Sequence, residues 1–294
     1  IESDLMAAGV STIIYAPDRS LRYIPLAALH DGEQWLTQQF TVNHITAASL
    51  TNFSPSNAAD LSILAGAFPP EALAINLGDQ NVVFDGLPYA QAEVQNLADS
   101  IANASVLFSD AFNQAALESQ LNQYSIVHLA THAEFRSGHP NDSFILLGDG
   151  DRITLADLDQ WQLPDVDLVV LSACKTAVSG VLGNGEEVLG FGYQIQRTGA
   201  DAAIASLWYV SDGGTQQLMD AFYTALQSGY AESEALRRAQ IALIADDDTV
   251  LSRDVATDRL NEYGNAQNRR SLSEIPNFDH PYYWAPFILI GNGV

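Results

Sequence analysis

The sequence predicts an α/β protein with a mostly parallel central sheet and helices on both of its faces. Three observations carry that expectation. Short β-branched or apolar runs alternate with amphipathic helical patterns along most of the 294 residues, as strands joined by covering helices do. Several runs lack in–out alternation, the mark of strands buried on both faces. With 47% hydrophobic residues, the chain has enough apolar side chain to bury a large core.

In chain order, Ser11–Ala16, Leu61–Ala65, Ser125–Ala130, Asp167–Ala173, Ala202–Trp208 and Phe287–Gly291 read as strands. Between them Val94, Leu97 and Ile101 recur at helical spacing, as do Val188, Phe191 and Ile195 before Gly199. Leu218, Phe222 and Leu226 mark another helix, with Ser211 or Asp212 as its N-cap and Gly229 as its stop. The first 55 or so residues read as a hairpin-rich β segment, with turn signals at Pro17-Asp18 and Asp31-Gly32, feeding the same sheet system. Residues 246–283 are polar and turn-rich, a connection of the length that is usually functional or mobile.

Charge and cysteine usage narrow the function. Against 12 basic side chains stand 36 acidic ones, a net charge of −24; this opposes nucleic acid and anionic lipid and favours basic partners. The longest apolar runs, such as Leu168–Leu171 and Phe287–Ile290, fall far short of the ~18 residues of a membrane span. With a single cysteine, no internal disulfide forms, so a soluble cytoplasmic protein is expected. Because the chain opens at Ile1 rather than Met, a fragment or processed product is expected.

That cysteine, Cys174, stands where the apolar run VVLSA gives way to KTAVSG. A thiol of ordinary pKa is only a few per cent thiolate at neutral pH, so a catalytic cysteine needs a neighbouring base. SIVHLATHAEF offers two histidines: His128 inside the apolar run and His132 just past its end. If Ser125–Ala130 and Asp167–Ala173 are parallel neighbours, both carboxyl ends share the edge where open α/β sheets place their sites. His132 and Cys174 then meet there; the 42 residues from 132 to 174 leave room for a crossover. His128 reads as a packed, hydrogen-bonded histidine. On chemistry and spacing alone, Cys174 is either this nucleophile or a buried filler at a strand end.

HLATHAEF and LVVLSACKTAVSG resemble the histidine and cysteine motifs of the CHAT family of caspase-like cysteine peptidases. SLRYIPLAALHDG, LPYAQAEV, GNGEEVLGFGYQIQRTGADAAIASLWYVSD and HPYYWAPFILIG agree as well and in the family's order, so the likeness spans residues 10–291. The resemblance implies a caspase-like fold, its hairpin-rich amino-terminal part in residues 1–105 and its catalytic part in 106–294. It implies a cysteine endopeptidase in which His132 is the base and Cys174 the nucleophile. The N–H groups of Ala133 and Cys174 would form the oxyanion hole. Many relatives have glycine where this chain has Ala133, so the backbone there has to avoid positive φ.

SLWYVSD, which contains Trp208 and ends in Asp212, is similar to a segment of separase whose aspartate receives an arginine. Asp212, with Trp208 beside it, would then select Arg or Lys before the scissile bond; the other reading is that Asp212 caps the helix after it. Arg269-Arg270 is a candidate self-cleavage site, Arg270 being the residue before the cut, or else a pair of surface arginines. Glu186 and Glu187 read as favourable charges at a helix start. GNGEEVLGFG lacks the spacing of a nucleotide loop. No zinc-spaced cluster is present, and Asp246-Asp247-Asp248 reads as a solvated turn more readily than as a calcium site. No cofactor is expected. The expected partners are a protein substrate with a basic cleavage site and an upstream repeat domain or activator, and the pattern resembles bacterial members that act in signalling. A catalytically silent caspase-like interaction module is the alternative function, and an acyl hydrolase or transferase using Cys174 is a third.

Overall fold

The computed structural model describes residues 2–47, 51, 61–77, 80–134, 140–172, 174–175, 186–247 and 278–293. Strands form where the apolar runs lie. β1 (Thr12–Tyr15) and β2 (Thr41–His44) come first, then β3 (Ser62–Ala67), β4 (Leu73–Leu77), β5 (Gln80–Phe84) and β6 (Asn103–Phe108). After β7 (Ile126–Ala130) come β8 (Ala133–Glu134), β9 (Phe144–Leu146) and β10 (Arg152–Thr154); after β11 (Leu168–Leu171) come β12 (Cys174–Lys175), β13 (Ala202–Ser206) and β14 (Phe287–Gly291). The helices are α1 (Glu2–Ala7), α2 (Leu36–Gln39), α3 (Pro88–Ser100), α4 (Gln114–Glu118), α5 (Leu155–Leu158), α6 (Glu186–Thr198), α7 (Asp212–Gln227), α8 (Glu232–Ala245) and α9 (Pro281–Trp284).

One eight-stranded sheet runs β1-β2-β14-β13-β11-β7-β3-β6, and every neighbouring pair is parallel except β13 with β14. Parallel pairing hides both faces under crossover helices, and adjacent residues of one strand feed different cores. Ile63, Ala65, Ile126, Leu168, Val170 and Ile204 pack with α3, α7 and α8 on one face. Leu64, Val127, Leu129, Val169, Leu171 and Ala203 pack with α4, α5 and α6 on the other. Since both faces want apolar side chains, the strand sequences show no alternation.

The first 55 residues depart from the hairpin expectation. β1 and β2 are parallel, Thr12 opposite Thr41, and the chain between them is filled by 3-10 turns over Arg19–Tyr23 and Leu26–Ala28 and by α2. The turn signals at 17–18 and 31–32 are real: the Asp18 carboxylate accepts from the Arg19 N–H, and Asp31 accepts from the N–H groups of Glu33 and Gln34. They turn the chain locally without pairing long strands; among the described residues there, only the bridge His30–Trp35 is antiparallel. The true hairpin of the amino-terminal part is β4–β5, Leu73 opposite Phe84. A second, four-stranded sheet, β10-β9-β8-β12, stands beyond the carboxyl ends of β7 and β11.

His128 is a packed core histidine, as its place inside the strand predicts. On β7 it is wholly buried, with Nε2 2.7 Å from Glu93 Oε1 of α3 and Nδ1 2.9 Å from the Tyr223 hydroxyl of α7. Glu93 is equally buried, at 1% exposure. These three polar groups lock one strand to two helices, and removing one strands the others in a dry core. Glu93→Ala is therefore expected to destabilise the fold by about 3–5 kcal/mol in urea denaturation, and Glu93→Gln, which keeps a hydrogen-bonding group in place, by less. Equal stability of Glu93→Ala and the parent would refute the lock.

Candidate active site

β7 and β11 pair in register from Ile126–Leu168 to Leu129–Leu171, so the histidine and cysteine motifs leave the sheet at the same edge. Just past that edge the two segments pair again, Cys174 of β12 opposite Ala133 of β8 in parallel. Neighbouring strands lie about 4.8 Å apart, which puts the Cys174 main chain beside the residue that follows His132. The sequence-predicted pair is thus brought together at the level of the backbone.

His132 is 5% exposed and held from two sides. Its ring meets Phe68 edge-on at 4.9 Å between centroids and Phe84 at 5.4 Å. Its Nε2 lies 2.7 Å from the main-chain oxygen of Asp85, at the end of the β4–β5 hairpin. A carbonyl only accepts, so Nε2 carries a proton, and whenever the ring is neutral its lone pair falls on Nδ1. The hairpin therefore sets the tautomer as well as the ring's orientation.

Ala133 is a β8 strand residue and is not among those with positive φ, so alanine meets the backbone requirement without strain. In the antiparallel pairing of β8 with β9, the Leu146 N–H donates to His132 O at 2.8 Å, and Ala133 faces Ile145.

Asp212 begins α7, but the N-cap is Ser211, whose hydroxyl accepts from the Gly214 N–H. The Asp212 carboxylate instead crosses to α3 and accepts from the Tyr89 N–H at 2.7 Å, among the free donors of that helix's first turn. Burial raises its pKa to about 6; the Tyr89 bond pulls it down, and the Glu93 charge, one turn along α3, pushes it up. The Tyr209 hydroxyl's pKa is raised by burial, then by the neighbouring Asp212, Asp85 and Tyr282. The Trp208 indole N–H donates to the Tyr282 main-chain oxygen at 3.0 Å.

The remaining sequence candidates fall away from this centre. Glu186 and Glu187 open α6, the helix-start position expected of them. Asp246 is the left-handed C-cap of α8, Asp248 and Arg270 lie outside the described residues, and no group of three or more metal-ligating side chains occurs among the described residues. Reading the sequence missed Asp85, whose contribution is a main-chain oxygen and carries no side-chain signal. It also missed Tyr89 and Phe84.

The titration of Asp212 gives a direct test. Its pKa is raised in the folded chain, so its effect on stability is favourable at low pH and is lost as pH climbs from the ordinary 3.8 to about 6. Asp212→Asn is expected to remove that decline from the pH dependence of Tm. Parallel curves for parent and variant over this window would contradict it.

Comparison with known proteins agrees with the geometry. The chain shares 24% identity over 245 residues with the human tetratricopeptide repeat protein 28, covering 71% of this chain and spanning 8% of that protein's length. Among solved structures, the Arg-specific cysteine proteinase gingipain R (RgpB), seen also in the complex of its pro- and mature domains from Porphyromonas gingivalis, superposes with a TM-score of 0.58 at 8% identity, over 99% of this chain and 66% of that one. Separase in the Saccharomyces cerevisiae separase–securin complex superposes with a TM-score of 0.53 at 11% identity, over 92% of this chain and 15% of separase. These likenesses establish the caspase-like fold. The CHAT domain family matches residues 1–292, and the chain belongs to that family.

Proposed function

We propose that the chain is a cysteine endopeptidase that cleaves a protein partner after a basic residue. The observation that carries the reading is the pairing of Cys174 with Ala133, next to a histidine whose Nε2 is tied to the Asp85 carbonyl. His132 takes the thiol proton of Cys174 on Nδ1, and the thiolate attacks the carbonyl carbon of the scissile bond. The negative charge that develops on the carbonyl oxygen is met by the N–H groups of Ala133 and Cys174. His132 returns its proton to the leaving amine, leaving an acyl group on sulfur, and water, deprotonated by the same imidazole, releases the new carboxylate and restores the thiol. The kinship of fold with gingipain R and separase supports this chemistry.

The basic specificity rests on Asp212, supported by Trp208, whose indole is anchored on Tyr282. A half-buried carboxylate suits a cation that replaces the water it has lost. The surplus of acidic side chains draws such a segment in. The repeat protein among the relatives and the partner of separase support a protein substrate. Arg270 is a site of self-cleavage on this reading, and two fragments on a denaturing gel, absent from Cys174→Ala, are its signature.

The experiment uses fluorogenic peptides with Arg, Lys, Leu or Asp before the reporter. Release from the Arg and Lys peptides, abolished by Cys174→Ala and reduced roughly a hundredfold by Asp212→Asn, is the expected outcome. Because the carboxylate must ionise to hold the cation, kcat/KM for these peptides is expected to rise as pH passes about 6. Cysteine-dependent release confined to Leu or Asp peptides would discard the Asp212 pocket. Silence from every peptide, with no labelling of Cys174 by a peptidyl thiol inhibitor, would favour the binding module.

A further inference from the structure

The amino-terminal strands β1 and β2 join the rest of the sheet along a short seam. β2 meets β14 through one registered pair, His44 opposite Ile290, and the Asn43 side-chain amide donates to the Gly291 main-chain oxygen at 2.9 Å. α8 clasps the same part of the chain: the Thr41 hydroxyl donates to Glu234 at 2.7 Å, the Thr37 hydroxyl to Gln240 at 2.9 Å, and Arg237 donates to the Gln38 main-chain oxygen at 2.8 Å. Between β2, β14 and α8 lies a small cavity whose walls include Val42, His44, Ser233, Arg237, Gln240 and Ile288.

Two shielded side-chain atoms of those walls, His44 Nδ1 and Arg237 Nε, have no hydrogen-bond partner among the described residues, and His44 is only 3% exposed. Buried polar atoms left this way are costly, and an internal water is a common remedy. The chemistry of the two atoms defines what the cavity can hold. Burial lowers the His44 pKa to about 4, against the opposing bond that the ring makes to the Leu289 main chain. The ring is therefore uncharged at neutral pH, and with Nε2 donating to that carbonyl, Nδ1 offers a lone pair. Arg237 Nε–H only donates. An occupant has to accept from Arg237 and donate to His44. The guanidinium repels a metal cation, and a halide has no proton for Nδ1. The room for the centre of a water-sized sphere, about 10 Å³, is close to the roughly 10–15 Å³ that a single water takes.

We propose that the cavity is a binding site for one water molecule, which accepts a hydrogen bond from Arg237 Nε, donates one to His44 Nδ1 and thereby fastens β2 to α8. Ser233 supplies a third partner: its hydroxyl donates to the Gly293 main-chain oxygen, which leaves its own oxygen to accept the water's second proton. Three partners are usual for a buried water. Gln240 does not compete, since its amide donates to the Trp284 and Phe287 main-chain oxygens and its oxygen accepts from Thr37. The site is separate from the dyad, because β14, β13 and β11 stand between β2 and β7, and it does not depend on the peptidase reading. The amino-terminal strands are then held in place by hydration as well as by direct bonds.

The test combines a direct view with a count. In crystals of the parent grown at neutral pH, an oxygen within hydrogen-bonding distance of both His44 Nδ1 and Arg237 Nε is the expected result. In solution, magnetic relaxation dispersion of the water oxygen counts long-lived internal waters. His44→Phe and Arg237→Met, their folds checked by circular dichroism, are each expected to hold one fewer than the parent, and the double variant no fewer than either. Amide hydrogen exchange across Val42–Ile45 is expected to quicken about tenfold in both variants. Direct contact between the two nitrogens, a cavity without density in the parent, or equal water counts in parent and variants would overturn the site. Unchanged exchange in both variants would overturn the fastening. The crystal needs no substitution, so a variant that fails to fold leaves the proposal open to refutation.

Discussion

Parallel pairing of β7 with β11 is the constraint on which the rest of the molecule depends. Antiparallel neighbours would send the two motifs to opposite ends of the sheet. In parallel register, Leu129 stands opposite Leu171, and both chains emerge at one edge together. The short pairing of β8 with β12 then repeats the same direction a few residues further on. Since both faces of these strands are sealed by the two helical layers, a register slip would have to break two cores at once.

The same edge gathers groups of one sign. Asp85 presents its carbonyl to His132 and its carboxylate to the surroundings of Tyr209, and Asp212 adds a second carboxylate held on an α3 amide. Glu93, also on α3, is paired with His128, whose other ring nitrogen meets the Tyr223 hydroxyl. One buried network therefore braces the strand that delivers His132 and the two helices whose starts meet at Asp212. The core bracing and the placement of the Asp212 carboxylate share parts here, so a substitution at Glu93 touches both.

Much of this was legible in the residues. Five of the six apolar runs became buried strands because burial on both faces demands an unbroken apolar code, the first became the partly exposed edge strand β1, and Gly229, at φ 82°, ends its helix as predicted. His132 and Cys174 stood out because each lies just beyond such a run. The parallel partnership of β1 and β2 was not legible: aspartates at 18 and 31 announce a turn through their own hydrogen bonds, yet say nothing about which strand the chain meets next. Ser211 and Asp212 compete for one cap in sequence, and only the approach of α3 separates their duties. Tyr89 lay inside a quoted motif, but its main-chain N–H acquires meaning only beside a residue 123 positions away.

The tie between His132 and the Asp85 carbonyl bears on how this family can vary. Any amino acid at position 85 offers the same oxygen, so substitution there leaves the imidazole's anchor untouched. What the anchor needs is a peptide unit at the right height, and that is set by the number of residues in the β4–β5 hairpin and its flanks. Evolution can therefore rewrite the side chain at 85 freely while holding the hairpin's length. Insertions and deletions, rather than point substitutions, are the changes to which the orientation of this histidine is vulnerable.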